Sequence, residues 1–172
     1  LYGAIAEQIR RLRADGIDYE IIPGVPAYTA VAAALGQELT IPEIAQSIVL
    51  TRMSMKSTSM PAGETLENFA ISGATLAIHL AIRNMREIER VLIPHYGAEC
   101  PVVVAYRASW PDQIIIRGTL SDIRKKVRDA KITRTALILV GPALKEQQDF
   151  VDSALYHPDM EHVLRNRKTP AA

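Results

Sequence analysis

Cysteine occurs once, at position 100. No intrachain disulfide can close, and no cysteine-based zinc site can be assembled. A reducing compartment, and with it a cytoplasmic location, is the simplest expectation. Aromatic side chains make up 5% of the 172 residues, too few for the stacking platforms on which single-stranded nucleic acids lie. Neither sign of charge dominates, with 20 Lys and Arg against 19 Asp and Glu. The basic excess demanded by a phosphate backbone is missing, so nucleic acid is not an expected partner. No apolar run approaches the ~20 residues of a membrane-spanning helix, and no segment has the order of a signal peptide. A soluble protein with no membrane partner is expected.

Clustered glycine is also missing. The nine glycines stand at 3, 16, 24, 36, 63, 73, 97, 118 and 141. Within this chain that spacing excludes a dinucleotide fingerprint, a P-loop and the glycine-rich cofactor loop of Rossmann methyltransferases. Neither H-E-x-x-H nor G-x-S-x-G occurs. His157 and His162, with Asp159 and Glu161 between them, match no standard metal spacing, and no metal is expected. No spacing reveals a catalytic acid–base pair, so the catalytic residues stay unassigned. An initiator methionine is absent too. The chain opens Leu1-Tyr2-Gly3-Ala4-Ile5, with Ile5, Ile9 and Leu12 already at helical spacing, and is expected to be a lobe of a longer enzyme that begins in mid-fold.

Hydrophobic periodicity and turn residues are plentiful. A helix over residues 2–15 stops at Gly16 in a C′ position, and Asp18 to Ile22 read as a short strand. Pro23-Gly24-Val25-Pro26 forms a turn, with Pro26 opening an alanine-rich helix that runs from Ala27 to Leu35 and closes at Gly36. Gln46 to Thr51 is a buried-type strand, followed by a polar loop from Arg52 to Gly63 that is long for a connection inside a compact domain. A short helix over Thr65 to Ile71 precedes a strand from Thr75 to Ala81. Asn84-Met85-Arg86-Glu87 resembles a capping box opening a helix to about His95. Val102 to Tyr106 and Gln113 to Leu120 can pair as a hairpin, with Trp110 at its tip. Ser121 is placed to cap a basic helix, whose Arg124, Lys125, Lys126 and Arg128 read as a solvated face. Thr135 to Val140 is a last apolar strand, Gln147 to Leu155 reads as helix, and the tail looks weakly ordered. The fold class is α/β, a mixed β-sheet flanked by helices on both faces.

Three segments carry a family likeness. Leu1-Tyr2-Gly3 before a helix resembles the end of the G-D-P-x-L-Y-G motif of the tetrapyrrole methylases. Pro23-Gly24-Val25-Pro26-Ala27 and the small-residue helix behind it resemble that family's P-G-[VI]-[ST]-[SA] turn. Ile48-Val49-Leu50-Thr51-Arg52, the loop from Met53 to Pro61, Thr75 to Leu80 and Thr135 to Gly141 resemble the branch acting at carbon 11 of precorrin-4. The resemblance implies a two-domain enzyme of cobalamin biosynthesis that moves a methyl group from S-adenosylmethionine to a reduced tetrapyrrole, leaving S-adenosylhomocysteine and requiring no metal. It further implies that residues 1–23 are the last helix and strand of an N-terminal domain, that 24–156 form the C-terminal domain, and that 157–172 are a tail. The rest of the N-terminal domain is then an expected partner, as is a second copy in a homodimer. Rival readings are another tetrapyrrole or a diphthine-type methyltransferase, or a non-catalytic dimerisation lobe.

The same likeness implies a cofactor site lined by Leu1, Pro26, Ala27, Leu80, Ala108, Thr135 and Ala136, small or backbone-presenting positions that allow close approach to an adenosine. Pro26 departs from the family turn, where Ser or Thr is common, and so removes a hydroxyl and a backbone donor. By composition alone Leu80 and Ala136 read as core residues on strands. The substrate carries many carboxylates, so Arg52, Lys56 and Ser54, with Ser57, Thr58 and Ser59 beside them, are the expected substrate-binding group, and Arg107 is a second cation of this kind. Read alone, the loop from Arg52 is a solvated connection. His79 reads either as a satisfied core histidine or as a group that orients substrate or accepts a proton.

Overall fold

The structure is a computed structural model and describes residues 1–53, 59–146 and 151–152. Ser54, Lys56, Ser57 and Thr58 lie outside the described residues, as do most of the expected helix over residues 147–155 and the whole tail with His157 and His162. Helices α1 (Ile5–Ala14) and α2 (Ala27–Leu35) come first, followed by strand β1 (Ile48–Arg52) and helix α3 (Leu66–Ala70). Strand β2 (Thr75–His79), helix α4 (Met85–Tyr96), the hairpin of β3 (Pro101–Tyr106) and β4 (Ile114–Thr119), helix α5 (Ile123–Asp129) and strand β5 (Ala136–Val140) complete the order.

The strands form one mixed sheet in the order β1-β2-β5-β3-β4. β1 and β2 are parallel, with Ile48 opposite Thr75 and Arg52 opposite His79. β5 runs antiparallel to both its neighbours, pairing Ile138 with Ile78 on one side and with Val104 on the other. Apolar residues alternate along each strand, which gives the sheet two greasy faces that need covering. On one face Leu76, Ile78, Val102, Val104, Ile138 and Val140 pack with Ala70 of α3, Ile88 and Leu92 of α4, and Ile123 and Val127 of α5. On the other, Ala77, Val103, Ala105, Leu137 and Leu139 pack with Val31 of α2, Leu39 and Leu144. The mixed sheet with helices on both faces is as the sequence implies.

Several local expectations are corrected. Asp18 to Ile22 form no strand, because no other strand lies beside them to complete a ladder, and they stay exposed. Pro26 is the residue before α2 and not its first, with φ −73° and ψ 157°. The Asn84 side chain makes no cap, because a 3-10 turn over Ile82–Asn84 already leads into α4, while Glu87 bonds Arg90 instead. Asp122, not Ser121, is the residue from which α5 starts. Leu80 is not core: β2 ends at His79, and Leu80 turns left-handed with φ 56° and 68% of its surface exposed. The basic face of α5 is solvated as expected, and its charges pair with Glu89, Asp122 and Asp129.

Candidate functional site

One end of the sheet gathers the expected site residues. β1, β2 and β3 finish there and β5 begins there, which places Arg52, His79, Leu80, Arg107, Ala108, Thr135 and Ala136 side by side. Arg52 and His79 are register partners on neighbouring parallel strands, so their side chains leave the same face of the sheet. That face is the one under α2, because Ala77 two residues before His79 belongs to the α2 core. The direction of α2 follows from its far end. Thr75 Oγ1 donates to the carbonyl of Leu39 (2.8 Å), and Gln37 Nε2 donates to that of Ala143 (2.8 Å). Both anchors sit where β2 starts and β5 stops, so the N-terminus of α2, with Pro26 and Ala27, points toward the opposite end, where β2 finishes. The first N–H groups of a helix lack intrahelical acceptors and carry its positive dipole end, which makes this a place for a polar or anionic group.

Leu1 reaches the same end through its neighbour. The Tyr2 ring lies 5.3 Å from the His79 ring at an interplanar angle of 57°, and its hydroxyl sits 3.5 Å from the Leu50 carbonyl. Burial raises the Tyr2 pKa, with Arg52 opposing that rise and Glu64 adding to it. Burial also lowers the His79 pKa, so the imidazole is held neutral.

Across the sheet, Arg107 follows β3. Its backbone N–H donates to the Thr135 carbonyl at 3.0 Å, and its guanidinium pairs with Asp112. It also lies over the rings of Tyr106 and Trp110, at 5.4 and 4.8 Å from their centroids. Cation–π contacts and an ion pair together hold this side chain in one place. β2 and β3 are separated by β5 alone, about 10 Å by strand spacing, and Arg107 stands two residues beyond Ala105, which is level with His79 across the sheet.

Two properties stand out at this end. Among the described residues, the buried side-chain nitrogens without a hydrogen-bond partner are His79 Nε2 and Arg107 Nε, and both are here. Unpaired buried polar groups are rare in folded proteins and demand a reason. In addition, Leu80, Arg107 and Thr135, one at the end of each of three strands, have φ of 56°, 48° and 53°. Left-handed backbone is unfavourable for side-chain-bearing residues and concentrates at ligand-binding positions. Sequence patterns do not show such positions unless glycine marks them, and the part played by Tyr2 escaped the sequence for a similar reason: it depends on a contact 77 positions away in the chain. A groove of about 370 Å³ opens at the other end of the sheet, among Glu43, Ala45, Ser47, Val49, Ser72 and Ala74. It is a strand length away from the unpaired nitrogens and holds none of the expected residues.

Residues 1–124 match the family described as Tetrapyrrole (Corrin/Porphyrin) Methylases. The chain belongs to the tetrapyrrole methylases. Within that family it is 53% identical over 167 residues to a precorrin-4 C(11)-methyltransferase from Sinorhizobium sp, a match covering 97% of this chain and 66% of the relative. This tetrapyrrole methylase chain thus spans just under two thirds of the length of that curated relative. The X-ray structure of a cobalamin biosynthetic enzyme, cobalt precorrin-4 methyltransferase, superposes with a TM-score of 0.80 at 39% identity, covering 84% of this chain and 61% of that one. Uroporphyrin-III C-methyltransferase from Thermus thermophilus, solved with S-adenosyl homocysteine, shares the fold at a TM-score of 0.65 and 22% identity, covering 84% of this chain and 62% of that one. No helix among the described residues is long and apolar enough to cross a membrane.

Proposed function

We propose that the complete gene product transfers a methyl group from S-adenosylmethionine to carbon 11 of precorrin-4 in cobalamin biosynthesis. The observation that carries this reading is the 53% identity, over nearly the whole chain, to a relative bearing that name. The geometry supports it, because the strained, small and unpaired groups converge on one sheet end beside a helix N-terminus.

These residues fit an adenosine-bearing cofactor. Ala27, Ala108 and Ala136 leave room for close approach, and Leu80 and Thr135 stand in left-handed turns at the strand ends beside them. Leu1, Pro26, Ala27, Leu80, Ala108, Thr135 and Ala136 would hold S-adenosylmethionine, which when bound supplies a methyl group activated by its sulfonium charge. The protein's task is alignment, since orientation of two bound reactants can supply roughly 7–11 kcal/mol of a barrier. Leu80 suits such a role: a large apolar side chain left in solvent at the mouth of the site covers a ligand and keeps water from it.

Arg52 and Arg107 would grip substrate carboxylates from two sides, together with Ser54 and Lys56 of the loop after β1. Arg107 is pre-positioned by Asp112 and two aromatic rings, so little side-chain entropy is lost on binding. A second copy of the chain and the remaining third of the polypeptide length seen in relatives are partners in this reading. The test is product analysis: the complete gene product is incubated with precorrin-4 and S-adenosylmethionine carrying a 13C methyl. One labelled methyl at carbon 11 is the expected result, and a methyl at another carbon, or none, sinks the reading.

A further inference from the structure

Arg107 already has Asp112 and two rings to engage its charge, whereas the unpaired Nε2 of His79 has no part in the reading above. It sits at the last position of β2, at the end of the sheet where the strained residues gather. Tyr2 tilts against its ring from the N-terminal segment. A polar nitrogen buried at the rim of a ligand site, with nothing to bond, is complementary to a group the ligand brings.

The surroundings decide which kind of group. From β1 comes Arg52, the register partner of His79. From the N-terminal segment comes Tyr2, with Glu64 acting on it. β5 offers the apolar Leu137 at the next position in register, and α2 opens with Ala27, Tyr28 and Thr29, which bring no charge. Burial disfavours an imidazolium, so the ring is neutral with a lone pair available at neutral pH. A reduced tetrapyrrole carries N–H donors in its ring, and these suit an acceptor.

We propose that His79 is a catalytic residue whose Nε2 accepts a hydrogen bond from a ring N–H of the tetrapyrrole and takes that proton as the methyl group is added. This rests on the function proposed above. As electrons flow from the ring nitrogen toward the acceptor carbon, a bond forms between that carbon and the methyl. The electron pair of the methyl–sulfur bond stays on sulfur and cancels its positive charge. The N–H proton passes to His79 Nε2, which leaves the macrocycle neutral and the imidazole protonated. Arg52, next in register, then favours release of that proton to water.

The experiment compares the wild-type complete gene product with His79→Asn, which keeps a hydrogen-bond acceptor but no base, and His79→Phe, which keeps only the ring. Both variants should lose about 100-fold in kcat while S-adenosylmethionine binding by calorimetry is retained. The wild-type rate should fall as pH drops through the histidine titration, below the ordinary value near 6.5 because burial lowers it. That acid limb should vanish in His79→Asn. In protein carrying 15N-labelled histidine, the Nε2 resonance of His79 should move when tetrapyrrole is added without S-adenosylmethionine. Full kcat in His79→Phe, an unchanged acid limb in His79→Asn, or a silent Nε2 resonance would each overturn the proposal. If the wild-type protein makes no carbon-11 product, the proposed function fails, and the resonance still decides whether His79 meets a tetrapyrrole. If a variant does not fold, the wild-type resonance decides alone.

Discussion

Gly141 follows β5 with φ 155° and ψ 159°, a conformation open in practice to glycine alone. A Cβ built on it would lie 3.0 Å from the Thr75 Cα, in the backbone of β2. That close contact cannot relax cheaply, because Thr75 is fully buried and its hydroxyl anchors the carbonyl of Leu39. Gly141→Ala is therefore expected to destabilise the domain by about 1–3 kcal/mol, read as a lower urea midpoint with an unchanged slope. A shift of a few tenths of a kcal/mol would show that this end of the sheet yields more easily than its packing implies. The sequence shows Gly141 as a strand stop, which is correct, but its second role depends on β2 lying beside β5. Leu80 teaches the converse lesson. Pattern alone places it inside a strand, and only the left-handed turn that ends β2 one residue earlier puts it in solvent.

At the scale of elements, strands and helices long enough to show their period were legible. β1, β2, the β3–β4 hairpin, β5 and the alanine-rich α2 all lie within two residues of where periodicity and turn residues put them. Caps were harder, because neighbouring residues compete for the same role. At the joint between β4 and α5, Ser121 and Asp122 both have capping chemistry. Ser121 turns its hydroxyl to Thr119 Oγ1 (2.7 Å) and to Glu99 (3.2 Å), at the surface. Asp122 accepts the Thr119 backbone N–H at 2.8 Å and pairs with Lys126 one helical turn on. Its carboxylate thus ties the strand end to the helix start, and Gly118 is needed nearby because a Cβ there would collide with Asp122 Oδ1. Asp122→Ala should cost about 1–3 kcal/mol through loss of a charge-assisted bond to a partly buried amide, whereas Ser121→Ala should change thermal stability by under about 0.5 kcal/mol. Equal losses in the two variants would show that Ser121 anchors this joint as firmly as Asp122. The expected strand over Asp18 to Ile22 failed for a different reason. Strand character is a property of a pair, and apolar residues alone do not supply the partner.

The whole molecule is uneven in how it hides apolar surface. Residues 27–53 and 59–146 enclose a sheet with both faces covered, while the first 25 residues bury almost nothing: α1 has no buried residue. Ile21, Ile22 and Val25 are 63%, 79% and 79% exposed, and Leu1, Ile5 and Ile17 are more than half exposed. The amphipathic face of α1 was legible in the sequence as a helix in need of a partner, and it finds none among the described residues. Single exposed apolar residues are ordinary, but a run of this size marks a surface that associates. Residues 1–23 as a piece of a separate domain would account for it, since the matching relative is about half as long again as this chain. The 172-residue chain by itself should therefore bind a hydrophobic dye such as ANS and self-associate as its concentration rises. Replacing Ile21 and Ile22 together by serine should weaken both effects without moving the unfolding midpoint, because neither side chain contributes to the core. A dye signal that survives the double substitution would place the sticky surface elsewhere. A drop in the midpoint would show that these residues are packed in solution, against α2 or against the sheet end that carries His79.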